Sequence, residues 1–213
     1  MLSLALVSTA LAREPGATPG SALDELLRGM ASTAGLEVRF REQKDLSLLS
    51  APLESHGVIY FVPPDRFARF TLSPGYSSLV VDGEALRFRD GRDGDEVDLT
   101  GSPTARVFVD NFIVLWSGDR ERLAHLYEVE LRGDRAAWRL ALEPRRRPLS
   151  RFIQKIVLSG DAAGMQRMLV QDLNGDRTTT RLEQIRSDRT FTAKELHRIF
   201  VTRHPLDGVL GER

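Results

Sequence analysis

The sequence predicts an α+β protein that is mostly β: a strongly curved antiparallel sheet of about ten strands, an incomplete β-barrel, with helices covering its concave face. Three observations lead to this class. Apolar and polar residues alternate with a period of two along most of the chain, and turn signals such as Asp82-Gly83 and Asp90-Gly91 separate the alternating runs. Segments 21–34 and 104–126 instead have helical periodicity. Asp-Gly turns favour hairpins, so we expect strands that are neighbours in sequence to pair.

The composition favours one domain and excludes several classes of partner. The 213 residues can bury a single core, and 30 basic residues balance 30 acidic ones, so a net charge of zero offers no overall field to hold nucleic acid. The chain has no cysteine, which excludes disulfides, thiol nucleophiles and cysteine zinc sites. We therefore expect a monomer that depends on its apolar core.

The first twelve residues, MLSLALVSTALA, resemble an export signal. They form an apolar run too short to span a bilayer, and they end in the small-x-small pattern Ala10-Leu11-Ala12. This predicts a signal peptide over residues 1–12. The basic residues expected before the apolar run are missing, which leaves open a start further upstream, and the alternative to a signal peptide is a helix of the folded domain. Residues 13–213 are then one exported domain.

The predicted domain starts with a helix and continues with strands. Ser21 to Asp24 is typical of a helix start, and Gly35 of a helix end. The apolar residues at helical spacing between them are Leu23, Leu26, Leu27, Met30 and Ala34. From residue 36 the period changes to two, which predicts a strand that contains Phe40. Further strands are predicted at Leu53–Val62, Arg66–Leu72, Ser77–Val81, Ala85–Arg89 and Glu96–Leu99.

Segment 104–126 interrupts the strands and is predicted to be one helix, laid into the concave face. Its Phe108, Phe112 and Trp116 fit either a core or a lipid-contacting lid, and the sequence leaves both open. Strands then resume at Tyr127–Arg132, Ala136–Leu142, Phe152–Ser159, Met165–Leu173 and Thr178–Arg186. Several runs, such as VIYFV at 58–62, are apolar on both faces, which indicates a sheet wrapped around something apolar.

The stretch QDLNGDRTTTRLE, residues 171–183, fits two structures. Asp172, Asn174, Asp176 and Glu183 have the spacing of calcium-loop ligands, but Arg177 stands where such a loop needs glycine, and both flanks alternate like strands. We therefore predict a hairpin, with Asn174-Gly175 as the two positive-φ residues of a type I′ turn.

No arrangement of residues predicts catalysis. The four histidines, at 56, 125, 197 and 204, are scattered, and the common hydrolase and nucleotide-binding motifs do not occur. We predict no enzyme activity, no catalytic residue, no metal and no cofactor. The arginine-rich run EPRRRPLSR, residues 143–151, is either a solvated loop or a dock for an anionic headgroup or an acidic partner.

The order of several segments resembles the periplasmic outer-membrane lipoprotein carrier family, the LolA-like proteins. The matching segments are FREQK, PLESHGVIYFVPPDRFARF, SPGYSSLVVDGEALRF, YEVEL, WRLALEP, IQKIVLSG and LVQDLNGDRTTTRLEQI. Gly57, Phe61, Pro64, Phe67, Arg69, Phe70, Pro74, Asp82 and Gly83 occupy the places of the family's pattern. The resemblance spans residues 23–188, and the tail from about residue 190 diverges from the family's usual ending.

The resemblance implies a site that holds acyl chains inside the curved sheet. The residues expected to form the cavity and its lid are Arg69, Phe40, Phe61, Phe67, Leu79, Val81, Phe88, Phe108, Phe112, Trp116 and Trp138. In relatives, an arginine at the position of Arg69 is implicated in holding the lid closed. A buried guanidinium is costly unless it is hydrogen-bonded, so Arg69 is expected to bind backbone carbonyls of the lid. Its replacement by leucine is expected to keep the fold.

The resemblance also implies the function and its partners. The expected function is a periplasmic carrier of a lipoprotein or another acylated lipid, loaded by an inner-membrane exporter and unloaded by an outer-membrane acceptor. Two alternatives remain: a lipid-sensing regulatory domain that binds a membrane partner, and a lipid enzyme whose nucleophile and base the sequence does not reveal.

Overall fold

The computed structural model describes residues 19–91 and 93–201. The predicted signal peptide, residues 1–12, lies outside the described residues. Four α-helices form within them: α1 Pro19–Ala31, α2 Pro103–Ser117, α3 Arg120–Leu126 and α4 Ala193–Phe200. A short 3-10 helix spans Leu149–Arg151. Helix α1 begins at Pro19, so Ser21 lies inside its first turn instead of capping it.

Eleven strands make up one antiparallel sheet in this part of the chain. They are β1 Leu36–Asp45, β2 Leu53–Val62, β3 Arg66–Ser73, β4 Ser77–Asp82, β5 Ala85–Asp90, β6 Asp93–Asp98, β7 Tyr127–Asp134, β8 Ala137–Pro144, β9 Ile153–Asp161, β10 Gly164–Asp172 and β11 Arg177–Arg186. Their order is β6-β5-β4-β3-β2-β1-β11-β10-β9-β8-β7. The sheet stays open at edges β6 and β7, as predicted for an incomplete barrel, with eleven strands instead of about ten.

The pairing of β1 with β11 joins two meanders into this sheet. The first meander is β1 to β6, the second is β7 to β11, and α2 and α3 connect them in the chain. Phe40 of β1 lies opposite Leu182 of β11, so the seam connects residues far apart in sequence.

One face of the sheet, here called the inner face, packs against α1, α2 and α3. Its buried side chains include Val38, Phe40, Ile59, Phe61, Phe67, Val81, Leu140, Leu142, Ile156, Leu158, Met168 and Leu182. Phe67 of β3 and Leu140 of β8 belong to the same core cluster, although six strand spacings separate them. At about 4.8 Å per spacing, a flat sheet would hold them far apart. The sheet therefore curls around the helices, which confirms the predicted curvature.

The opposite, outer face of β2, β3 and β4 is covered by α4. Ile199 and Phe200 are 2% and 1% exposed and pack with a second apolar cluster. The sheet residues of that cluster are Val58, Tyr60, Ala68, Phe70 and Val80. Strands β2 and β4 are therefore apolar on both faces because one face packs in the inner core and the other packs under α4. The sequence analysis assigned no structure to this tail.

The predicted central helix is two helices. Gly118 ends α2 with a left-handed φ of 66°, and the side chain of Asp119 caps α3 by accepting a hydrogen bond from the backbone N–H of Arg122, at 3.0 Å. A Cβ added at Gly118 would lie 2.3 Å from the Leu27 carbonyl oxygen. Glycine therefore permits the connection between α2 and α3 to pack closely against α1.

Residues 171–183 form a hairpin, as predicted, but its turn is not type I′. The Gly175 N–H donates to the Asp172 carbonyl at 3.1 Å, and only Gly175 of the predicted pair has positive φ, 92°. This is a three-residue loop that ends in a left-handed glycine. Asp176 accepts hydrogen bonds from the backbone N–H and the hydroxyl of Ser47, at 2.7 and 2.9 Å. These bonds tie the loop to the β1–β2 connection.

We expect Gly175→Val to destabilise the fold by about 1–3 kcal/mol, because a β-branched residue resists positive φ. An added Cβ at this position meets nothing within 4 Å, so strain alone causes the effect. Gly175→Asn is the matched control, since asparagine tolerates the left-handed region. Urea unfolding of both variants measures the difference, and equal stability would contradict the assigned turn.

Candidate functional site: a cavity beneath helix α1

A cavity of about 850 Å³ lies between α1 and the inner face of the sheet. This volume is in the range of sites for small ligands. The apolar residues that line it are Leu26, Met30, Leu36, Val38, Phe61, Trp116, Leu131, Trp138, Met165, Leu182 and Ile185. They come from α1, α2 and six strands, and the β1–β11 seam runs through the floor. The cavity thus offers an apolar interior that one helix covers.

The rim of the cavity is polar and mostly acidic. The charged side chains around it are Glu25, Asp134, Arg135, Asp161 and Asp188. They belong to α1, the β7–β8 and β9–β10 turns and the segment after β11. A ligand whose apolar part lies inside would therefore present its polar end to carboxylates and water.

Apolar packing and ion pairs hold α1 over the cavity. Leu27 is buried in the inner core, and Leu23, Leu26 and Met30 pack against that core. Ion pairs connect Arg120 to Asp24 and Arg135 to Glu25, the second at 3.3 Å between exposed groups. Exposed pairs of this kind contribute about 0–1 kcal/mol each, so apolar packing provides most of the attachment.

Three of the eleven predicted site residues line this cavity: Phe61, Trp116 and Trp138. Phe40, Phe67, Val81 and Phe112 instead belong to the core beside it. The Phe67 ring packs edge-on against Phe112 at 4.6 Å and tilted against Trp116 at 5.9 Å between centroids. Helix α2 therefore fills the space above β3 and β4, where the sequence analysis expected part of the acyl cavity.

Leu79, Phe88 and Phe108 lie outside both groups. They are 37%, 43% and 40% exposed, and Leu79 of β4 lies opposite Phe88 of β5. Strand alternation places Leu79 on the inner face, since its neighbour Val80 packs under α4 on the outer face. Leu79 and Phe88 thus form a second, open apolar region, and Phe108 is an exposed residue of α2.

Arg69 lies on the inner face but contacts β1 instead of the lid. Its guanidinium forms an ion pair of 2.9 Å with Glu42 and stacks on the Phe40 ring at 4.3 Å. Glu42 is 4% exposed and also accepts a hydrogen bond from the Thr180 hydroxyl at 3.0 Å. The structure thus places the expected lid tether in a pair that connects β3 to the β1–β11 seam.

The pKa of Glu42 reflects this environment. Burial raises it, but the hydrogen bond and charge of Arg69, the charge of Lys44 and the Thr180 hydroxyl together outweigh burial and lower the pKa below its ordinary value. The ionised carboxylate is therefore stabilised by folding, and its partner cation is Arg69.

The sequence analysis did not predict that α1 and strands β7, β10 and β11 line the cavity. Leu26 and Met30 were part of the predicted amphipathic stripe, and Gly29 between them also lines the cavity. Leu131, Met165, Leu182 and Ile185 belong to predicted strands, and nothing in their alternation distinguishes a cavity wall from a packed core. The arginine-rich loop, residues 143–151, lies at the opposite end of β8 from the cavity.

The sequence matches the model of one family, described as outer membrane lipoprotein carrier protein LolA-like, over residues 16–197. The chain belongs to this family. The resemblance drawn from the ordered segments is therefore confirmed, and so is the fold class. The carrier described by the family name has a binding role.

Solved structures that this LolA-like chain resembles are distant. A LolA superfamily protein from Nitrosomonas europaea aligns at 12% identity and a TM-score of 0.46, covering 84% of this chain and 97% of that one. The Pseudomonas aeruginosa MucA/MucB complex aligns at 17% identity and a TM-score of 0.45, covering 84% of this chain and 60% of that one. LprF from Mycobacterium bovis aligns at 11% identity and a TM-score of 0.41, covering 81% of this chain and 93% of that one.

The LolA-like chain spans less than two thirds of the matched chain in the MucA/MucB complex. All three TM-scores are below 0.5, so the family assignment depends on the family model. Comparison with curated proteins found no match. Across residues 19–91 and 93–201, no helix is long and apolar enough to cross a membrane, and no group of three or more His, Cys, Asp or Glu side chains is placed to hold a metal ion.

We expect Arg69→Leu to destabilise the LolA-like fold at pH 7 by up to about 3–5 kcal/mol, because Glu42 would remain buried with only its longer contact to Lys44, at 3.6 Å. This reverses the sequence-based expectation that the variant keeps the fold intact. Glu42→Gln/Arg69→Leu is the control: it buries no charge and retains an acceptor for Thr180, so most of the lost stability should return.

The destabilisation by Arg69→Leu should also depend on pH. In the wild type the lowered pKa of Glu42 stabilises the fold above about pH 4.3, the unfolded value, and that contribution is lost as the pH falls through the folded pKa. In the variant, the hydrogen bond and charge of Arg69 no longer lower this pKa, so Glu42 takes up a proton at a higher pH than in the wild type. The stability gap should therefore narrow from pH 7 to pH 4. A gap that stays constant over this range in denaturant unfolding would show that Glu42 does not cause it.

Proposed function

We propose that the protein is a periplasmic carrier that holds acyl chains of a lipoprotein or another lipid in the cavity beneath α1 and moves them between membranes. The observation that carries this proposal is the apolar cavity of about 850 Å³, enclosed by the sheet and one helix. Membership of the LolA-like family supports the carrier role. An inner-membrane exporter and an outer-membrane acceptor are part of the proposal.

The energetics of the cavity suit a reversible carrier. Each buried methylene contributes about 0.8 kcal/mol, so a chain of about a dozen methylenes gains on the order of 10 kcal/mol before ordering costs. The polar rim leaves a headgroup in water. The ion pairs of α1 are exposed and contribute little, so movement of the helix to admit or release the chain would cost mainly its apolar contacts with the core.

The cargo can be identified directly. We expect native mass spectrometry of the protein, purified from the periplasm of cells that express it with its own export signal, to show a co-purifying acylated species. Release of that species to acceptor vesicles would support the carrier. Tight binding without any transfer would contradict it and favour the lipid-sensing regulator.

Gly29 allows a matched test of the site. This α1 glycine lines the cavity, and an added Cβ meets nothing within 4 Å. Gly29→Ala and Gly29→Leu should both stabilise the helix by about 0.5–1 kcal/mol. Only leucine occupies the space of about two methylenes of cargo, so it should weaken binding of a fluorescent acyl lipid about tenfold.

Equal lipid affinity of the alanine and leucine variants would contradict the α1 cavity as the acyl site. Leu79→Ser is the companion variant for the open region on β4. Weakened binding in that variant, with Gly29→Leu unaffected, would place the cargo at the surface around Leu79 and Phe88.

A further inference from the structure

One end of the sheet exposes a group of large apolar side chains. Three belong to the β1–β2 connection and the first residue of β2, one precedes β9, and one follows β10. Leu48 is 95% exposed, and Phe152 and Leu173 are each 58% exposed. Exposed apolar groups that form a patch mark a contact with another molecule. We call this set the apolar tip, and its members are Leu48, Leu49, Leu53, Phe152 and Leu173.

Hydrogen bonds hold the segments of the apolar tip next to one another. Asp176, in the β10–β11 turn, accepts from the backbone N–H and the hydroxyl of Ser47 in the β1–β2 connection, at 2.7 and 2.9 Å. The Leu173 N–H donates to the Phe152 carbonyl at 2.9 Å, which joins the same turn to the segment before β9. The five apolar side chains therefore belong to one surface.

Unpaired arginines lie beside the apolar tip. Arg151 is next in sequence to the phenylalanine of the tip, and Arg146 and Arg147 belong to the same arginine-rich loop. All three are exposed, and their guanidinium groups have no ion pair or hydrogen bond with any residue of 19–91 or 93–201. Glu143, the acid of this loop, is already paired with Lys155 at 2.7 Å. The loop therefore offers three free cations to an anionic partner.

The apolar tip and the acidic rim of the cavity lie at opposite ends of the sheet. Asp134 and Asp161 of the rim belong to the β7–β8 and β9–β10 turns, whereas the tip is formed at the β1–β2, β8–β9 and β10–β11 connections. The nine residues of β9 separate the two ends by about 25–30 Å. An anionic surface would repel the rim. Exposed acids also occur at the tip end, at Asp45, Glu54 and Glu128, so attraction there depends on the arginine-rich loop.

We propose that the apolar tip enters the interfacial region of a lipid bilayer while Arg146, Arg147 and Arg151 contact anionic headgroups beside it. Separate turns supply the apolar side chains, and Leu48 projects almost fully into solvent. A fluid lipid interface accommodates such projections, and binding there strengthens with apolar area and with attraction to anionic lipids. A stable protein interface usually needs about 20–30 residues a side, packed like a protein interior, which these turns do not present.

Vesicle flotation of the whole chain tests the apolar part of this surface. The wild type should bind phosphatidylcholine vesicles with about one third phosphatidylglycerol more tightly than phosphatidylcholine alone. Leu48→Ser/Leu173→Ser should weaken binding to the mixed vesicles about tenfold or more, because it removes inserted apolar area. Both leucines are exposed, so the fold should be unchanged. Phe108→Ser, at an exposed position of α2, is the control and should bind like the wild type.

The charged part of the surface has its own variant. Arg146→Gln/Arg147→Gln/Arg151→Gln should lose most of the preference for the mixed vesicles, by about fivefold for each arginine at low salt. Binding to phosphatidylcholine alone should change little.

A second triple variant removes the same net charge from another surface. Arg41, Arg167 and Arg181 are exposed neighbours across the outer face of β1, β10 and β11. Arg41→Gln/Arg167→Gln/Arg181→Gln should keep the preference for anionic vesicles. Equal losses in the two triple variants would mean that only net charge matters, which would overturn the assignment of the arginine-rich loop.

A fluorescent label reports which end of the sheet touches the bilayer. The chain has no cysteine, so a single cysteine can be labelled. Leu48→Cys places a nitrobenzoxadiazole group at the tip, and Ala162→Cys places it in the β9–β10 turn at the rim. This dye brightens in apolar surroundings, so mixed vesicles should brighten the label at 48 and leave that at 162 unchanged. Brightening at 162 alone would overturn the proposal.

Membrane docking and acyl binding can fail separately, because they use opposite ends of the sheet. Gly29→Leu should bind vesicles like the wild type, and Leu48→Ser/Leu173→Ser should keep its affinity for a fluorescent acyl lipid. A wild type that binds neither vesicle would overturn the membrane proposal, leave a protein as the partner of the tip and not affect the carrier proposal. Vesicle docking without acyl binding would support the tip and contradict the carrier.

Discussion

The pairing of β1 with β11 is the contact on which the rest of the structure depends. It is made between residues about 140 apart in sequence, for example Phe40 and Leu182, and it turns two meanders into one curved sheet. The floor of the cavity lies on this seam, and α1 covers it. Glu42 is buried beside it, with Thr180 across the seam and Arg69 from β3. Without the seam, no inner face would be wide enough to curl around a helix.

The sequence predicts those parts of the fold that depend on residues close together in the chain. Strand β2 was predicted with its observed bounds because alternation and the following Pro63-Pro64 define both its ends. The seam itself has no local signal, since any two of the predicted edge strands satisfy the same alternation. Helix α4 did have a signal: Thr192 and Glu195 form a capping box in which each side chain bonds the other's backbone N–H. It was overlooked because eight residues with mixed charge make a short periodic pattern.

The candidate site was harder to predict than the fold. Most inner-face side chains are apolar, for one of two reasons, packing or binding, and the pattern of residues is the same for both. Which reason applies depends on where the helices sit: α2 packs its aromatic residues onto Phe67, whereas α1 stays far enough from Phe61 to leave a cavity. Glu42 illustrates a related ambiguity. Alternation along a strand does not predict that an acid is buried, yet Glu42 occupies a buried inward position because a partner cation lies on β3.

The cover that α4 provides has a consequence for the behaviour of the protein in solution. Arg189 anchors the helix to the body by pairing with Glu37 of β1 at 2.8 Å and with Glu195 at 2.6 Å, while Ile199 and Phe200 conceal an aromatic strip on β2 and β3. Proteolytic loss of residues 193–200 would uncover a contiguous apolar patch on β2, β3 and β4. Exposed patches of this kind promote association between molecules, so cleavage before residue 193 would make the protein prone to aggregation.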